Sequence, residues 1–253
     1  MTSTTPARPK PSSHAQLGRT FITQQRVISV LSFLLPVVLV TWSLVSGQGI
    51  RGSISEYYYT PVRDVFVGVL CALALFLWSY RGYHPYNPEL AADRIVAKVA
   101  SVSAALVALA PLRPRQEGQC SLLQCALGPL TTEWIHHAAA VVFMAALATF
   151  CLVLFPLTAI PGRDQGRRMV IYGMSGTTIV VSVLLMVLWK FLPVDVYFAL
   201  GHYKPIFILE TLALVAFSVA WLLRSRAVEH AALAVAQPPA TTSQPQEEAT
   251  AQS

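Results

Sequence analysis

Apolar residues in this chain gather into six long blocks, at about 27–46, 64–80, 94–112, 134–155, 169–192 and 205–223, separated by short charged loops. Within each block the apolar run is continuous and does not alternate with period two. The pattern predicts helices and excludes a membrane β-barrel. Each block approaches or reaches the roughly 20 residues a helix needs to cross the hydrocarbon core. The expected fold class is all-α, a six-helix transmembrane bundle with disordered cytoplasmic tails. The third block is the weakest, because it is Ala-rich and carries Lys98 about one turn inside, where the side chain can snorkel to the headgroups. Pro36 falls mid-block in the first and is tolerable only if neighbouring helices re-satisfy the carbonyl it frees.

Composition sharpens this picture. Of 253 residues, 55% are hydrophobic and 12% charged, against about 25% charged in a soluble domain. Most of the surface therefore does not face water, and the lipid bilayer is the expected partner. A net charge of +6 would suit nucleic acid, but the basic residues edge the apolar blocks without interleaved aromatics. No nucleic-acid partner is expected; the charges report membrane orientation instead. Counted by side, 12 Lys and Arg, from Arg8 to Arg226, fall on one face and 6, Arg51, Arg63, Arg113, Arg115, Lys190 and Lys204, on the other. That split places both termini in the cytoplasm. The first block reads as an uncleaved anchor, since a long polar stretch precedes it and no small-residue cleavage site follows. Residues 1–26 and 226–253 form the expected tails, too rich in Thr, Ser, Pro, Gln and Ala to bury a core, around a transmembrane domain at 27–225.

Cys71 and Cys151 lie inside blocks and read as packing residues. Cys120 and Cys125 share an outward loop, where an oxidising exterior would permit a disulfide. A zinc site at these two is less favoured, because their spacing is not CxxC and no second pair exists; no metal site is nominated there, and the cofactor is left open.

The second, fourth and sixth blocks all begin at the expected outer face, and each carries polar residues there: Ser53, Ser55, Glu56, Tyr58, Arg63 and Asp64; His136 and His137; His202 and Glu210. In one bundle these would form a single outer-leaflet layer. Glu210 lies about 8 Å of helical rise below Pro205. An acid at mid-bilayer costs about 2.5–3.5 kcal/mol, so Glu210 should face the interior and have a partner, with Arg63 or Lys190 available. Its role is open between a structural ion pair and a proton-relay or ligand-binding group. An N-cap role alone would explain Asp64. His136 and His137 are about 100° apart on a helix, so only one can face inward. The tyrosines at 57–59, Trp134 and the tryptophans near other block ends, Trp42, Trp78, Trp189 and Trp221, read as an interfacial aromatic belt.

The stretches Ser53-Ile-Ser-Glu-Tyr-Tyr-Tyr-Thr, Arg63-Asp-Val-Phe-Val-Gly68 and Tyr80-Arg-Gly-Tyr83, with the closing block from Glu210 to Trp221, resemble a family of small bacterial multi-pass membrane proteins without an assigned activity. The resemblance implies six helices in a bacterial inner membrane. A looser analogy runs to the multi-pass metal hydrolases related to alkaline ceramidases, which place Ser, Asp and three His around zinc. In that reading Ser53 or Ser55, Asp64, His136 or His137, and His202 take those roles, and a metal-bound water attacks a lipid amide or ester with Asp64 or Glu210 as base. Six blocks instead of seven, and no His-x-x-x-His pair near the end, set this chain apart. Two functions thus stand side by side: binding of a lipid or small molecule at the outer polar layer, and metal-dependent hydrolysis. The protein partner is not indicated.

Overall fold

The computed structural model describes residues 13–80, 91–113, 120–162 and 164–236. Among them the chain forms helices and no strand. Helix α1 spans Ser13–Val45, and a short 3₁₀ helix covers Ile54–Tyr59. Then follow α2 (Arg63–Trp78), α3 (Ala91–Leu109) and the short α4 (Leu122–Leu127). Helix α5 (Pro129–Thr149) runs through a π turn at Phe150–Leu154 into α6 (Phe155–Leu157). Helices α7 (Gln165–Trp189), α8 (Val194–Gly201) and α9 (Pro205–Ala236) complete the order. Each of the six apolar blocks holds a helix, and these six pack in chain order as a closed ring, with α9 returning to α1.

Four helices are long and apolar enough to cross a membrane: Ile22–Val45 of α1, Pro129–Leu157, Gln165–Trp189 and Pro205–Glu229 of α9. Their outward faces carry Val30, Phe33, Val142, Leu184 and Leu212, apolar side chains that water would not tolerate in such number. Helix α2, with 16 residues, is shorter than these four, and α3, with 19, carries three charged residues, Asp93, Arg94 and Lys98, within its length. In α3, Ala97, Ala100, Ala104 and Ala108 are fully buried at one face. Small side chains let its backbone approach α2 and α5 closely, and Ser101 Oγ donates to the Ala74 carbonyl at 2.6 Å. Lys98 sits over the Trp78 ring, 5.4 Å from its centroid.

The π turn has a local cause. Pro156 has no N–H for the Leu152 carbonyl, and its ring would clash with it. The wider turn moves the register so that Phe155 N–H reaches the Phe150 carbonyl instead. Helix α7 packs on this irregular stretch through Gly176, where a Cβ would run into the Leu152 side chain.

The helices also reach past the boundaries expected for the tails. Helix α1 already begins at Ser13 and α9 continues to Ala236. These extensions are tied down: Gln24 Nε2 donates to the Phe76 carbonyl at 2.6 Å, and Arg26 pairs with Glu229 between the antiparallel α1 and α9. The tail segments 1–12 and 237–253, residues 81–83 of the sequence motif, Arg115 and Arg163 lie outside the described residues.

Candidate functional site

The residues nominated from the sequence converge only in part, and the 3₁₀ helix is what gathers them. Ser53 caps it, its Oγ accepting the Ser55 N–H at 3.1 Å. Glu56 curls back to accept the Gly52 N–H at 3.2 Å, and a Cβ on Gly52 would stand 2.9 Å from that carboxylate. The Gly52 carbonyl in turn accepts the Phe207 N–H at 3.0 Å, one of the donors that the start of α9 leaves without a partner in the helix itself.

Two side chains from different helices of the ring then fasten the turn. From α9, the half-buried Glu210 accepts Ser53 Oγ–H at 2.9 Å and the Ile54 N–H at 2.6 Å. From α5, the buried His136 places Nδ1 2.7 Å from the Ala110 carbonyl and Nε2 2.9 Å from Ser55 Oγ. A carbonyl only accepts, so Nδ1 carries the proton, and neutral Nε2 accepts from the Ser55 hydroxyl. A hydroxyl donating to an imidazole that a third group orients is the arrangement of nucleophile and base. Here Ser55 and His136 are 6% and 3% exposed, and every hydrogen-bonding atom of the imidazole is engaged. The pair holds the turn in place.

Glu210 has therefore found a hydroxyl and a backbone N–H, not the cation expected for it. Arg63 lies instead over the Tyr58 ring, 4.1 Å from the centroid, and donates to the Tyr58 hydroxyl at 2.5 Å. Lys190 Nζ approaches His137 Nε2 at 3.4 Å, while His137 Nδ1 donates to the Glu133 carbonyl at 2.8 Å. Asp64 is exposed in the first turn of α2, where Val62 is the N-cap. The helix dipole still favours an acid at that position. His202 is exposed beside Tyr203 and does not join the cluster.

The tyrosine run does not form an interfacial belt, because the turn folds it inward. Tyr57 is fully buried, its hydroxyl 2.5 Å from Ser43 Oγ and its ring edge-on to Trp42. Tyr59 donates to the Leu112 carbonyl at 2.7 Å and accepts from Gln124 Nε2 at 2.9 Å. Burial pushes its phenol up from the ordinary range, against the lowering effect of the Gln124 bond. Gln124 also closes a capping box with Ser121 at the start of α4. Next to it Cys120 and Cys125 are joined as a disulfide, with Cα atoms 5.5 Å apart, which holds α4 against the loop that precedes it. Cys71 and Cys151 are free thiols, half-buried and buried.

Between Tyr58–Pro61 and Arg63 on one wall and Cys120 and Ser121 on the other opens a cleft of about 510 Å³. Arg63 is the one charged residue lining it, and no carboxylate pairs with it among the described residues. Glu210, His136 and the two serines lie behind the cleft and do not line it. Among the described residues no three His, Cys, Asp or Glu side chains converge as metal ligands. The donors nominated for a zinc centre are thus distributed over separate places.

At the opposite end of the ring lies a polar cluster that the sequence reading missed. Arg224, expected among the orienting rim charges, is 2% exposed and donates to the Thr158 carbonyl at 2.5 Å and to Thr158 Oγ1 at 2.7 Å. Asp93, also buried, interacts with it electrostatically. Trp221, expected in an aromatic belt, is wholly buried in a box of Tyr80, Phe150, Phe155 and Phe217. The spacing of Trp221, Arg224 and Ser225 at i, i+3 and i+4 was the available signal, since it sets all three on one helix face. Comparison with known proteins returns nothing: no family model, no curated protein and no solved structure matches the chain.

Proposed function

We propose that the chain is a six-span protein of the bacterial inner membrane, both termini cytoplasmic, whose outer cleft binds an anionic small molecule or lipid headgroup at Arg63. Its likeness to the small multi-pass family belongs to this reading, as do the six spans. The closed ring supports the six: α2 and α3 stand between α1 and α5 as full members of it, and their 16 and 19 residues rise about 24 and 28 Å against a core of about 30 Å. A reporter fused after Ser253 should be active only in its cytoplasmic form; alkaline phosphatase activity there would overturn the topology.

The observation that carries the binding reading is Arg63 itself. Its guanidinium is exposed on the cleft wall, free of any carboxylate among the described residues, and held in place by the Tyr58 ring and hydroxyl. A fixed guanidinium fork suits phosphate or carboxylate. Glu210 and His136 serve it indirectly by keeping the turn rigid, so that little order need be gained on binding. Metal-dependent hydrolysis draws no support from the donor positions among the described residues.

The test is binding of dihexanoyl phosphatidylglycerol, dihexanoyl phosphatidylcholine and inorganic phosphate to the purified protein, read by native mass spectrometry. The anionic lipid or phosphate should bind and the zwitterionic lipid should not. Arg63→Gln should weaken binding by about 10- to 100-fold, as the loss of a charge-assisted hydrogen bond implies. Equal binding by the variant would refute the site.

A further inference from the structure

The end of the ring opposite the turn contains more buried polar atoms than the protein satisfies. Gln25 Oε1 on α1, Asp93 Oδ1 on α3, and Trp221 Nε1 and Ser225 Oγ on α9 are all buried without a hydrogen-bond partner among the described residues. None of these four residues is more than 2% exposed. They belong to one locality. Trp221 and Ser225 share a face of α9 one turn apart. Ser29 and Ser218 are hydrogen-bonded at 2.8 Å between antiparallel helices, which brings Gln25, one turn earlier on α1, level with the turn of α9 that holds Ser225. Tyr80, its ring 5.5 Å from that of Trp221, hydrogen-bonds Gln25 and interacts with Asp93.

A buried polar atom left unpaired costs about 1–3 kcal/mol, and four in one place are not retained without a partner. The partner's chemistry follows from theirs. Asp93 Oδ1 and Gln25 Oε1 require donors, Trp221 Nε1–H requires an acceptor, and Ser225 Oγ can serve as either. Asp93 and Arg224 balance each other's charge, so an ion of either sign would leave an excess. A small neutral molecule that both donates and accepts satisfies all four.

We propose that this end of the ring is an internal water-binding site, in which a cluster of bound water molecules bridges Asp93 and Gln25 to Trp221 and Ser225. Bound waters of this kind make about three hydrogen bonds each to otherwise unpaired buried groups. The site is independent of the Arg63 cleft, and neither requires the other.

The experiment is X-ray hydroxyl-radical footprinting of the full-length protein in lipid nanodiscs, read by mass spectrometry, because radicals formed from bound water oxidise the side chains beside it. Trp221 should be oxidised at least tenfold faster than Phe217, and Tyr80 at least tenfold faster than Tyr57, although all four are buried. Asp93→Leu should reduce Trp221 oxidation several-fold and leave the exposed Tyr203 unchanged. Trp221 and Tyr80 in the native protein reacting no faster than Phe217 and Tyr57 would show the site to be dry, whether or not the variant folds.

Discussion

Arg224→Ala is expected to be the most damaging single substitution in this protein, costing about 3–6 kcal/mol, for two hydrogen bonds from a buried charged donor at about 1.5–3 kcal/mol each. Arg224 combines two roles, donating twice to Thr158 at the end of α6 and interacting electrostatically with the buried Asp93. Alanine leaves the Thr158 carbonyl unpaired and Asp93 without its countercharge. In a total stability of about 5–15 kcal/mol, that takes most of the margin at the lower end of the range. The measurement is the melting midpoint of the detergent-purified protein followed by size-exclusion chromatography. The double variant Arg224→Met with Asp93→Leu should melt above either single one, since apolar replacement of both partners removes the uncompensated charge. Additive losses would show that the two residues act separately.

The second large effect is expected at Glu210. Glu210→Ala removes the acceptor for Ser53 Oγ–H and the Ile54 N–H, at about 1.5–3 kcal/mol for hydrogen bonds to a charged group. The loss should be local. Hydrogen exchange at residues 52–60 should accelerate by about 10- to 100-fold, at about 1.4 kcal/mol per factor of ten, while α5 and α7 exchange as before. Glu210→Gln keeps one acceptor oxygen and should fall between the two. Global acceleration, or none, would contradict the assignment of Glu210 as the clamp of the turn.

These two residues also show why the sequence could be read only so far. Both are ionisable groups, one inside an apolar block and one at its end, and hydropathy treats them alike. Glu210 stood out because it lies well inside the block, and an acid there must face protein. Arg224 follows the last apolar residues of the same block, where a rim arginine marking orientation has the same spacing as one folded inward. The Gln24 and Arg26–Glu229 contacts that fix the continued helices show that the ring extends beyond the apolar block, so Arg224 sits inside it. The tyrosines misled for a related reason. Three aromatics beside a block suit an interface belt, but the Ser53 cap and the Glu210 and His136 bonds wind them into a turn that buries Tyr57 and Tyr58.

By itself the sequence determined the helical class and the positions of six helices, because continuous apolar runs of that length have few other ways to satisfy their backbone in lipid. It also determined that Ser53, Ser55, His136 and Glu210 stand near one end, since block ends alternate along the chain. Only the tertiary structure decided which of them touch. It paired Glu210 with a hydroxyl and a backbone N–H, chose His136 over His137, sent Arg63 to the cleft and enclosed Asp93 with Arg224. Each of these choices depends on the rotation of one helix against its neighbours. That rotation is set by side-chain packing, such as the alanine face of α3 and Gly176 against the π turn, which hydropathy along a single chain does not record.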